Sequence, residues 1–124
     1  MIEIVRRTSH RQMNYIKDAS LKIYLRNGRV SLTQKTCNIL NVKDNEGVMF
    51  GFNKKEKSAY IIKDTEPDAF IIHQRDKNTF RFCSKELIGW FDEVYELSKT
   101  GVLSFSFNID EQPNEKGMYK LILR

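Results

Sequence analysis

At 124 residues, 40% hydrophobic and 30% charged, the chain has the size and composition of one folded globular domain, which excludes a disordered segment and makes disulfide or metal staples unnecessary. No apolar run approaches the roughly 18 residues of a membrane span, and residues 1–7 lack the apolar core of a secretory leader, so a cytoplasmic protein with no membrane partner is expected. The net charge of +5 sits entirely in residues 1–30, where Arg6, Arg7, Arg11, Lys17, Lys22, Arg26 and Arg29 face only Glu3 and Asp18; such asymmetry points to a polyanionic partner.

Residues 1–19 are Arg-rich, without firm apolar periodicity, and read as a basic N-terminal arm. Residues 20–124 read as a single compact domain. Leu21-Lys22-Ile23-Tyr24-Leu25 alternates as a strand does, and Asn27-Gly28 is a hairpin turn leading into a partner strand at Arg29-Val30-Ser31-Leu32. Thr33 is a fitting N-cap for a short helix over residues 34–40. Strands follow at 48–53 and 59–63, and Pro67 interrupts the pattern. A second hairpin is expected over 70–74 and 79–82. Cys83 or Ser84 then caps a helix in which Leu87, Trp90, Phe91, Val94 and Leu97 recur at three- and four-residue spacing, so that this face is buried. Gly101 ends it, and a last hairpin runs over 103–109 and 118–123.

This order is stated twice. Thr79-Phe80-Arg81-Phe82-Cys83 echoes Arg29-Val30-Ser31-Leu32-Thr33, and Gly101-Val102-Leu103-Ser104-Phe105-Ser106-Phe107-Asn108 echoes Gly47-Val48-Met49-Phe50-Gly51-Phe52-Asn53. Met118-Tyr119-Lys120-Leu121-Ile122 likewise echoes Ala59-Tyr60-Ile61-Ile62. We therefore expect an α+β fold, mostly antiparallel β, with two tandem pseudo-repeats of strand-strand-helix-strand-strand (about 21–64 and 69–124) forming a small barrel or curved sheet with two helices. In the strands Val48, Phe50 and Phe52 share one face, as do Leu103, Phe105 and Phe107. This is the alternation of a sheet with one wet side, and it marks these phenylalanines as core.

The inventory for chemistry is thin. Cys37 and Cys83 form no Cys-x-x-Cys pair and read as reduced core thiols. His10 and His73 lie at no metal-ligand spacing, and neither a phosphate loop nor a nucleophile elbow is present. Asp92 and Glu96 form the solvated side of the second helix. No enzyme, catalytic residue, metal or cofactor is expected.

Gly28-Arg29-Val30-Ser31-Leu32, a short helix ending at Leu40-Asn41-Val42, an acidic turn at Asp44-Asn45-Glu46 and then Val48-Met49-Phe50 resembles the AbrB/MazE-type swapped-hairpin barrel. The likeness covers about residues 22–53, with a degenerate second copy over about 70–109. It implies a dimerising DNA-binding barrel in which Arg29 and Lys22 or Arg26 contact DNA. Four strands from Val48 followed by the helix over 84–97 are similar in topology to the Whirly and Pur-type unit, which implies a single-stranded ligand.

The expected function is that of a small nucleic-acid-binding protein, of regulatory or mobile-element accessory type. Arg6, Arg7, Arg11, Lys22, Arg26 and Arg29 would neutralise phosphates, on strands of either single or double form. The alternative is a non-catalytic interaction module that homo-oligomerises through its arm or its sheet edges.

Overall fold

The computed structural model describes residues 19–124. Arg6, Arg7 and Arg11 lie outside the described residues. Strands β1 (Ser20–Tyr24) and β2 (Arg29–Thr33) follow the alternation of their sequence, with Leu21, Ile23, Val30 and Leu32 buried and their neighbours facing outward. The turn between them needs its glycine. Gly28 has φ +75°, and an added Cβ would stand 2.8 Å from Lys85 Cγ and 3.0 Å from the Lys85 backbone nitrogen. Helix α1 (Gln34–Leu40) begins where the Thr33 hydroxyl accepts from the Thr36 amide at 3.4 Å, and it ends at Asn41, whose φ of 58° stops the helical run.

Strands β3 (Gly47–Asn53), β4 (Ser58–Asp64), β5 (Phe70–Ile71), β6 (His73–Asp76) and β7 (Thr79–Cys83) lead to helix α2 (Lys85–Tyr95). Ser84, not Cys83, caps α2, accepting from the Leu87 amide at 3.1 Å. The helix stops earlier than its apolar spacing predicts. Glu96 turns left-handed at φ 56°, and one 3-10 turn (Leu97–Thr100) carries the chain to Gly101. The final strands are β8 (Ser104–Ile109) and β9 (Tyr119–Leu123).

All strands join one antiparallel sheet in the order β5-β3-β4-β9-β8-β1-β2-β7-β6. Its two outermost members, β5 and β6, are consecutive in the chain, separated by the single residue Ile72. Ile72 itself donates to the Glu46 carbonyl and accepts from the Asn45 amide, both at 2.9 Å. One bent segment therefore pairs first with β3 and then with β7, and the sheet becomes a nearly closed barrel in an α+β protein. The expected hairpin over 70–82 is thus split between two partners. Exchanging β1 with the β5/β6 segment, β2 with β7, β3 with β8 and β4 with β9 leaves the ring of pairings unchanged.

Inside, Phe91 of α2 is fully buried against Phe50, Phe52 and Phe107, with ring centroids 5.0 to 5.8 Å apart. Three side chains depart from the expected core: Leu103, which precedes β8 and is 56% exposed, Trp90 and Cys83. Trp90 is 44% exposed and stacks on Phe52, because it sits at the margin of the buried helical stripe. Cys83 is exposed while Cys37 is buried, because Cys83 falls on the outward side of β7; both thiols are free.

Candidate nucleic-acid interface

The outward residues of neighbouring strands line up in rows fixed by the register. One row crosses β8, β1, β2, β7 and β6 as Ser106, Lys22, Ser31, Arg81 and His73. At about 4.8 Å per strand it is roughly 19 Å long. On one side lie Ser104 and Tyr24 of paired strands β8 and β1, with Arg29 and Cys83 of β2 and β7. On the other lie Asn108, Ser20, Thr33 and Thr79, joined across β1 and β2 by the Ser20 amide donating to the Thr33 hydroxyl at 3.2 Å. From β8 to β7 these rows contain polar residues and cations and no carboxylate; on β6 the last of them ends at Asp76, opposite Thr79.

The cations gather about one ring. The Arg29 guanidinium lies 4.6 Å from the centre of the Tyr24 ring and the Lys22 ammonium 5.3 Å from it. Among the described residues no ion pair engages Lys22, Arg26, Arg29 or Arg81, whereas Lys35, Lys54, Lys57, Lys63 and Lys99 each hold a glutamate. Arg29 Nε is shielded from solvent and makes no hydrogen bond. Two like charges drawn to one ring with no counter-charge repel each other, and an arriving anion relieves that repulsion. Beside them runs a groove of about 250 Å³, lined by Lys22, Tyr24, Ser31, Thr33, Thr79 and Ser106 among others.

Of the residues expected from sequence, Lys22 and Arg29 come together on this face. Arg26 is exposed in the β1–β2 turn at its end. Sequence reasoning missed Arg81 and Tyr24. Arg81 had a local signal, since Thr79-Phe80-Arg81-Phe82-Cys83 alternates and places it outward, but only the β2–β7 register sets it opposite Ser31. His73 is exposed, with Nδ1 2.9 Å from the Asn45 side-chain oxygen. Among the described residues no cluster of His, Cys, Asp and Glu is suited to a metal ion, and no helix is long and apolar enough to cross a membrane. No family model, curated protein or solved structure matches the chain.

Proposed function

We propose that the protein binds nucleic acid on the polar outer face formed by β8, β1, β2 and β7. Lys22, Arg29 and Arg81 hold phosphates there, and Arg26 with the arm residues Arg6, Arg7 and Arg11 extends the contact. The observation that carries this reading is the gathering of Lys22, Arg29 and Arg81 on one polar face, two of them about the Tyr24 ring, with no ion pair among the described residues engaging any of the three. Serine, threonine and asparagine around them are donors suited to phosphate and sugar oxygens. The twofold character of the pairing order supports the further reading that the domain arose by duplication, as the repeated sequence pattern implies.

Phosphate binding releases counterions, so affinity falls steeply with salt. The test is fluorescence anisotropy of the full chain with labelled single- and double-stranded oligonucleotides over a salt series. In the triple variant Lys22→Gln, Arg29→Gln, Arg81→Gln binding weakens and the slope of log K against log salt drops by about 0.7–0.9 per lost contact. The triple variant Lys54→Gln, Lys57→Gln, Lys99→Gln removes the same charge from paired positions and keeps the wild-type slope. Equal slopes for the two variants, with both still folded, would remove this face from the binding site. The strandedness preferred by the wild type separates the duplex and single-strand forms of the proposal.

A further inference from the structure

Beside α2, remote in composition from the polar rows, lies a cavity of about 380 Å³ lined by Phe50, Phe52, Phe70, Trp90, Leu87 and Glu86. Its volume falls at the lower end of the range for small-molecule pockets, about 300–1,000 Å³. The aromatic walls are set by the core. Phe50 meets Phe70 edge-on at 5.9 Å and 68°, Phe52 stacks with Trp90 at 5.7 Å and 19°, and both Phe50 and Phe52 abut the fully buried Phe91. Little ordering is therefore left for a ligand to impose.

Glu86 is the one charged residue of the lining, and no ion pair among the described residues engages it. Its first-turn position suits the positive end of α2, and because Glu86 is exposed its carboxylate stands at the solvent side of the aromatic lining. The nearby cations are already placed. The stem of Lys85 packs toward Gly28, and Lys54, 5.5 Å from the centre of the Trp90 ring, is held by Glu93. An anion entering the cavity would be repelled by Glu86, and a neutral hydrocarbon would gain nothing from it. A compact cation clothed in methyl groups suits this lining better than either: its apolar surface meets the rings, and its charge is drawn to the aromatic lining and to the Glu86 carboxylate.

We propose that this cavity binds a small free organic cation of the quaternary or methylated ammonium class. It is a site separate from the polar face and does not depend on nucleic-acid binding.

Trp90 is the only tryptophan and lines the cavity, so its fluorescence reports occupancy directly. Choline is titrated into the full chain beside its neutral isostere, 3,3-dimethylbutan-1-ol. The expected result is a saturable change with choline at about tenfold lower concentration than with the alcohol, a ratio in the range of a cation–π contact reinforced by a carboxylate. Glu86→Gln brings that ratio close to one while the thermal unfolding temperature falls by no more than a few degrees, the cost of one exposed charge at a helix start. Equal response to the two probes, saturation by neither, or selectivity that survives Glu86→Gln would each overturn the proposal.

Discussion

At the scale of single residues, the two thiols show how one alternation step decides chemistry. Cys37 is sealed in the core, and burial pushes its thiol up from 9.0 to about 12, while Cys83 lies in solvent on β7. At pH 8 a disulfide reagent is expected to titrate Cys83 at once and Cys37 only after denaturation; two fast thiols in the native protein would contradict the fold. A linked effect follows. The unfolded chain loses the Cys37 proton near pH 9 and the folded chain keeps it until about 12. This contribution to stability is therefore complete below pH 9 and is lost as pH rises toward 12. Denaturant midpoints measured across that window should fall for the wild type and fall less for Cys37→Ala. The sequence carried the outward alternation of Lys22 and Arg29 in the hairpin they share, where Asn27-Gly28 sets the register locally. Arg81 was not legible as their neighbour, because its register depends on pairing between segments about fifty residues apart.

At the scale of elements, local signals were read well and cross-chain pairings were not. The bounds of α1 follow from Thr33 and Asn41 within one turn of each end, so the sequence sufficed there. Helix α2 has the same clarity at Ser84. Its C-terminus escaped notice because Leu97 keeps the apolar spacing although the backbone has already turned at Glu96. The bent segment of β5 and β6 was read as half of a hairpin, since nothing in Phe70-Ile71-Ile72-His73 announces that its first half belongs to β3. Two glycines offer a paired check on these elements. Gly28→Ala forces a Cβ onto a φ of +75° and into the start of α2, and should cost about 1–3 kcal/mol. Gly89→Ala adds a Cβ that meets nothing within 4 Å on an exposed helical position, and should gain about 0.5–1 kcal/mol. Urea denaturation of the two variants measures both; a destabilised Gly89→Ala would show that the outer side of α2 is covered.

At the scale of the whole molecule, the barrel joins its halves rather than setting them side by side. β1 pairs with β8, β2 with β7 and β4 with β9, so neither half has a sheet of its own. Phe91 and Phe107, both from the later half, pack in the same core as Phe50 and Phe52 of the earlier one. One cooperative transition is expected, with far-UV circular dichroism and Trp90 fluorescence superimposing in denaturant. Separate midpoints would mean that α2 and its aromatic contacts come apart before the barrel does. Surface character also divides at this scale. Lys22, Arg29 and Arg81 sit without ion pairs on β1, β2 and β7, while Lys54, Lys57 and Lys99 around α2 and the β3–β4 turn are held by glutamates.

The bent strand through Ile72 has a consequence for synthesis. A nascent chain that has reached Asp64 holds the β1–β2 and β3–β4 hairpins but lacks every strand that would bridge them, because β9, β8 and β7 are still to come. Leu21, Ile23 and Val48 then have no shared interior to enter. Loop closure over such separations is slow, so the barrel gains its shape only once β9 has been made, and a product truncated before it would be left for chaperones or proteases rather than persist as a working fragment.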